Sequence, residues 1–454
     1  MSTTSPRLRF VTPELQIGDL DGFTSDTDLF GRKIIADGLT HLLDISSDPI
    51  VIAIDAKWGS GKTVFLKQWA GELRKSGFPV IYFDAFKNDY SEDAFAAIAG
   101  DIVELFGNVS KENSPRIKTF VDKTLRVAKV LTRSGLRVGV KLATLNTLDT
   151  IDIEDAAKAV GDELSELEDI YIGEVITKQK EIKDIFLRFR EALEALPALM
   201  SDNVEECRPL IFIVDELDRC RPAFALQLLE RVKHFFSVKN VHFVLGAHLS
   251  QLSCAVSATY GQGIDAHSYL QKFIQLTVNL GETGTAPHER VSVIYIHKLL
   301  REFGLGSTGG ENMPLLFNEA EIRGLSLRQI ERILSHVSLA MAFSGRRFAP
   351  MELVSGLCIL KTIEPGLYEL ARRRQLTWKA IEQAFHLGTP TDQSIGSLEY
   401  ATKLWRFATD PLMSDSEQSE VAGWLNRYRF YNRFDIVPML IANTIDRIQV
   451  TTAH

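Results

Sequence analysis

Cysteine is scarce in this chain: four among 454 residues, at Cys207, Cys220, Cys254 and Cys358, with no C-x-x-C pair. That argues against a disulfide framework or a structural zinc site, and it fits a reducing compartment, so a cytoplasmic location is expected. Long apolar runs are lacking too. No stretch approaches the roughly 18–20 uninterrupted apolar residues that span a bilayer, and the opening MSTTSPRLRF lacks the apolar core of a secretory signal. The nearest candidate span, residues 127–145, carries Lys129, Arg133, Arg137 and Lys141, so no membrane span is expected. Positive charge is not in excess either: 51 Lys and Arg stand against 59 Asp and Glu, a net charge of −8. Such a chain is not built to coat a polyanion, so nucleic acid is not favoured as a partner. There is no fixed-period repeat, no low-complexity tract, no metal-ligand spacing among the ten histidines and no Ser/His/Asp signature.

What is present is ordinary globular material, 45% hydrophobic and 24% charged, enough to bury cores without cross-links. At roughly 150 residues per domain, two or three units are expected. Apolar runs at 50–55 (IVIAID), 79–84 (PVIYFD), 210–215 (LIFIVD), 241–247 (VHFVLGA) and 274–280 (IQLTVNL) alternate with helical patterns at 62–74, 91–105, 223–236 and 250–259. Strands this continuously hydrophobic need helices on both sheet faces, and the alternation predicts an α/β fold with a parallel sheet. Residues 107–200 interrupt it as a helical insertion, with Ile182, Ile185, Phe186, Phe189, Leu193 and Leu196 on one helical stripe. After the polar link GETGTAPHE (281–289) helical patterns continue to the end. The expected organisation is a core in two parts, 1–106 and 201–283, a helical insertion at 107–200 and a helical C-terminal domain at 284–454.

Residues 56–63 read Ala-Lys-Trp-Gly-Ser-Gly-Lys-Thr between the first strand and a helix. This is the G-x-x-x-x-G-K-[ST] pattern with Ala56 at its first position. Small residues let backbone N–H groups turn inward around phosphate oxygens, and the helix N-terminus favours an anion. Trp58, Gly59, Ser60, Gly61, Lys62, Thr63 and Val64 form the candidate nucleotide site, Lys62 reaching the β- and γ-phosphates and Thr63 ligating Mg2+. A second strand ends in Asp215-Glu216. Asp215 is the second candidate for the Mg2+ shell, and Glu216 the candidate base for an attacking water. A capping carboxylate and a surface arginine are the plain readings of Asp218 and Arg219.

These residues resemble the KAP family of P-loop NTPases, a branch of the additional-strand ATPases. Trp58-Gly59-Ser60-Gly61-Lys62-Thr63 resembles its loop, and Phe83-Asp84-Ala85-Phe86 its Asn-Ala-Trp segment, with Asp84 and Phe86 as departures. Asp215-Glu216-Leu217-Asp218-Arg219 resembles its acidic motif, Tyr269-Leu270-Gln271-Lys272 its Tyr-Leu-x-Lys helix, and Ser326-Leu327-Arg328-Gln329-Ile330 a later arginine-bearing segment. The match runs, with gaps, from about residue 25 to 340. It implies an ATP-using, Mg2+-dependent triphosphatase with Glu216 as base. Many family members carry membrane helices where residues 107–200 stand, but here that stretch is too charged. Bacterial relatives are often associated with exclusion of phage or plasmid functions.

Arg328, with Arg332 four residues on, is a candidate γ-phosphate contact; a solvated helix arginine is the alternative. His248, after the fourth strand, is a candidate sensor or simply a hydrogen-bonded strand end. Near the C-terminus, residues 426–434 interleave arginines with aromatics. A core or partner face is preferred there over a stacking surface for single strands. The expected function is an ATPase coupling turnover to conformational change in an assembly with effector or adaptor subunits, with self-association allowed. A non-hydrolysing ATP-loaded scaffold and a DNA-dependent motor are the alternatives.

Overall fold

The computed structural model describes residues 15–46, 48–91, 93–109, 121–125, 184, 187–200, 208–235, 238–280, 291–305, 313–344, 350–387, 395–425 and 432–446. Most of the expected insertion lies outside the described residues, as do Cys207 and the link at 281–289.

Five parallel strands form one sheet: β1 (Val51–Asp55), β2 (Val80–Asp84), β3 (Leu210–Asp215), β4 (Val241–Ala247) and β5 (Leu276–Asn279). Their order is β2-β3-β4-β1-β5, so β4 is inserted between β1 and β3. The α/β fold expected from the hydrophobic runs is therefore found, with the additional strand that the resemblance implies. Residues alternate between the two faces, as a pleated strand requires. On one face Val51, Ala53, Phe212, Val214, Phe243 and Leu245 share a core with α3 (Ala94–Val109) and the Pro222–Phe235 helix. On the other, Ile52, Ile54, Ile211, Ile213 and Val244 pack against α1 (Lys33–Ile45) and α2 (Lys62–Lys75).

Phe189, Leu193 and Leu196, the described half of the predicted stripe, are fully buried in the first of these cores. Phe189 meets Phe95 of α3 edge-on, centroids 5.4 Å apart. The returning end of the insertion is thus part of the sheet's packing.

Two differences from expectation have a local physical cause. Helix α3 begins at Ala94 instead of residue 91, because the Asp93 carboxylate accepts the Ala96 N–H at 3.0 Å as a cap. The Tyr-Leu-x-Lys helix is only Ala266–Leu270, leaving Lys272 in the following turn with its ammonium over the Tyr269 ring.

Residues 291–446 hold a third core, formed by helices alone. The helices Val291–Glu302, Pro314–Arg323, Leu327–Ser344, Met351–Ile363 and Ile395–Thr409 contribute to it. Trp405 is fully buried against Gly356, where a Cβ would come within 2.5 Å of the indole. Among the described residues no helix is long and apolar enough to cross a membrane.

His336 is buried in this helical core, and its Nδ1 has no hydrogen-bond partner among the described residues. Burial, with Lys361 and Arg332 nearby, pushes its pKa down to about 4. The unfolded chain, with an ordinary histidine near 6.5, therefore binds the proton first as pH falls. Stability from neutral His336 is complete above about pH 6.5 and is lost on the way to pH 4, by about 3 kcal/mol at about 1.36 kcal/mol per pKa unit. We predict that His336→Leu flattens the denaturation midpoint between pH 6.5 and 4 relative to wild type in chemical unfolding.

Candidate nucleotide site

The site lies at the carboxyl ends of the strands, where open parallel sheets place their ligands. After β1 the chain turns through Gly59 (φ 75°) and Gly61 (φ 83°), left-handed conformations that a side chain would strain. Gly61 opens α2, and no side chain caps that helix N-terminus. The first-turn N–H groups of a 14-residue helix are therefore directed at the loop.

Lys62 is buried, 8% exposed, with its ammonium 3.3 Å from the Ala56 carbonyl and 3.5 Å from Asp218 Oδ1. Burial lowers its pKa, opposed by Asp218 and Asp215. Asp218 is itself buried and also accepts from the Trp58 indole N–H. It is neither a helix cap nor solvated: it bridges the loop's lysine and tryptophan. The Trp58 ring, largely exposed, meets His248 nearly edge-on at 6.1 Å. His248 Nε2 and the Ser250 hydroxyl are 2.8 Å apart.

Asp215 ends β3 and is 1% exposed. Its Oδ1 accepts the Glu216 N–H at 2.8 Å, and its Oδ2 accepts the Tyr82 hydroxyl at 2.7 Å. Burial raises its pKa, while hydrogen bonds from Tyr82, Thr63 and the Glu216 N–H pull it down. Glu216 holds φ 59°, a strained backbone for a non-glycine residue, of a kind that gathers at functional sites. Its carboxylate pairs with Arg219 at 2.8 Å; burial raises its pKa, Arg219 lowers it, and Asp215, Asp84 and Asp218 raise it.

Arg328 stands at the start of the Leu327–Ser344 helix, its side chain exposed. A Cβ on Gly59 would lie 3.0 Å from Arg328 Cβ, and the Leu327 N–H donates to the Gly59 carbonyl at 2.9 Å. Arg332 is also exposed. The structure thus brings Trp58, Lys62, Thr63, Asp215 and Glu216 together, with Arg328 touching the loop through its stem.

Three buried polar atoms around the loop have no hydrogen-bond partner among the described residues: Arg32 Nε, Ser60 Oγ and His248 Nδ1. Buried polar groups are nearly always satisfied. Their gathering here, beside a buried lysine and an uncapped helix, fits a polyphosphate ligand. The Thr63 hydroxyl beside the Asp215 carboxylate is an all-oxygen pair suited to Mg2+.

A family model, the KAP family P-loop domain, matches residues 32–292, more than half of the chain. The chain belongs to the KAP family of P-loop NTPases. That places it among nucleotide-binding proteins. No curated protein matches the chain. Among solved structures, the Aeropyrum pernix ORC2 protein in its ADPNP–ADP complexes is similar at 14% identity, over 87% of this chain and 85% of that one. Its TM-score is 0.34, too loose a likeness to bear on mechanism.

Several groups at the site of this KAP protein were missed by sequence reasoning. Tyr82 reads as a core strand residue and Gly246 as an ordinary strand glycine. Arg32 precedes α1 without any motif of its own, yet it is buried, donates to the Ser60 carbonyl at 2.9 Å, and has its pKa pushed down to about 10 by burial. Asp28 accepts its N–H at 2.7 Å just before α1 begins, a contact that no motif in the sequence announces. Of the C-terminal arginine–aromatic segment, residues 426–431 lie outside the described residues. Trp424 packs on Tyr400 at 4.7 Å, and Arg433 lies over Phe434 at 4.5 Å.

Gly246 of β4 leaves room for the buried carboxylate: a Cβ there would lie 2.6 Å from Asp215 Oδ1 and 2.5 Å from Leu66 Cδ1. Gly246→Ala is expected to destabilise the chain by ~1–3 kcal/mol through overpacking. Gly100→Ala, in open space on α3, should stabilise by about 0.5–1 kcal/mol. Urea unfolding of the two variants reads both signs; equal midpoints would contradict the packing described.

Proposed function

We propose that this chain is a Mg2+-dependent ATPase whose nucleotide state is transmitted to its helical C-terminal region and from there to protein partners. The observation that supports coupling best is the hydrogen bond from Leu327 N–H to the carbonyl of Gly59. A loop that reshapes around phosphates cannot move without loading that bond and the helix behind it. In this reading residues 284–454 act as one domain and 107–200 as a second recognition element.

In the proposed mechanism, the N–H groups of Gly59 to Val64 surround the β-phosphate while Lys62 exchanges Asp218 for phosphate oxygens. Thr63 and Asp215 are the residues that would hold Mg2+. When bound, the metal would neutralise charge on the β- and γ-phosphates. Glu216, released from Arg219, would orient the attacking water and take its proton on a carboxylate oxygen. Arg328 and His248 are proposed γ-phosphate contacts, Arg328 by swinging its exposed side chain toward the loop. A cytoplasmic setting, effector or adaptor subunits as partners, and a role in anti-phage defence are proposed from family resemblance.

Steady-state phosphate release tests the reading. Wild type should turn over ATP, Lys62→Ala should lose both binding and turnover, and Glu216→Gln should keep binding while losing at least about 100-fold in rate. Equal background rates in all three, with ATP still bound by wild type, would instead identify a non-hydrolysing scaffold.

A further inference from the structure

Asp215 is held by more than the residues its motif supplies. Its Oδ1 is fixed from within the motif by the Glu216 N–H, and Thr63 also hydrogen-bonds the carboxylate from α2. Its Oδ2 accepts a hydrogen bond from Tyr82 of β2, 133 residues earlier in sequence, at 2.7 Å. β2 and β3 pair in parallel with Tyr82 beside Ile213, so the phenol is directed along the sheet toward the strand's carboxyl end. The ring lies half-buried against the core shared by α1 and α2, which fixes its direction. Phenylalanine would fill the same space; the hydroxyl serves the carboxylate.

A buried carboxylate that loses one of its anchoring hydrogen bonds is freer to rotate about its terminal torsion, which is broad and two-fold. With both oxygens bonded it presents one defined edge beside Thr63. On the Mg2+-nucleotide reading above, that edge is where the metal shell forms, and groups that orient a metal-binding carboxylate tune affinity by about 10–100-fold.

We propose that Tyr82 is a positioning residue for metal-nucleotide binding, acting through its hydrogen bond to Asp215 Oδ2 and touching neither metal nor phosphate. Its loss leaves the phosphate loop intact and weakens only what depends on the orientation of Asp215.

The test compares full-length wild type with Tyr82→Phe. ATPγS affinity is measured by calorimetry in EDTA and across a Mg2+ titration, alongside thermal midpoints. The expected result is a Mg2+ half-saturation raised about 10-fold or more in Tyr82→Phe, with EDTA affinity within twofold of wild type. Excess Mn2+, which binds carboxylates more tightly than Mg2+, should restore affinity. Equal losses with and without metal would mark a merely structural role and overturn the proposal, as would an unchanged Mg2+ titration. If the variant fails to fold, the same titration on Tyr82→His, which keeps a ring donor, must fall between wild type and no metal response, or the proposal fails. A wild-type chain that binds ATPγS without regard to Mg2+ overturns the underlying reading as well, and this shows before any variant is made.

Discussion

Two sources of positive charge meet in one buried place: the Lys62 ammonium and the uncapped N-terminus of α2. Inside a protein, such charge must be answered by an anion or it is costly. The chain answers it incompletely, with one carbonyl at 3.3 Å and one carboxylate at 3.5 Å that is shared with Trp58. Around them Ser60 Oγ, Arg32 Nε and His248 Nδ1 have no hydrogen-bond partner among the described residues. A site with this much unanswered donor capacity is arranged for a ligand carrying several negative oxygens. The left-handed glycines exist to let the backbone reach it, and Arg32 braces the loop from behind through the Ser60 carbonyl.

The negative side of the site is built with equal economy. Inserting β4 between β1 and β3 sets Asp215 across from the loop instead of beside it, and Gly246 on that strand gives its carboxylate room. Asp215, Glu216 and Asp218 then face three different partners: the Thr63 and Tyr82 hydroxyls, Arg219, and the Lys62–Trp58 pair. Each is occupied, and two of the three contacts are ones a bound triphosphate would exchange. The same loop is bonded to Leu327, and this is the contact through which the proposed coupling to the helices would pass.

Much of this was legible from the chain alone. Continuous apolar runs placed all five strands within two residues of their observed ends, because strands covered on both faces have little choice of composition. The loop and the acidic strand end were readable because phosphate chemistry restricts residue type at fixed spacing. What could not be read depends on register and long-range approach. Tyr82 meets Asp215 only because β2 pairs with β3 in one register, and Gly246 matters only because β4 lies next to β3. In the sequence Asp218 reads as a capping acid; its burial follows from the turn after Glu216, whose φ of 59° no spacing rule foretells. Arg328 reads from its charge and the family segment as a γ-phosphate contact, while in the structure its stem packs on Gly59 and its backbone neighbour Leu327 makes the hydrogen bond to the loop.

The central claim is that nucleotide on the loop is felt at the start of the Leu327–Ser344 helix. Amide hydrogen exchange of the full chain with and without Mg-ATP measures this at the bond concerned. The account predicts a change in protection at Leu327 and the turn that follows, together with the loop at residues 57–64. Protection confined to the loop, with the 326–331 amides exchanging as in the free chain, would contradict it.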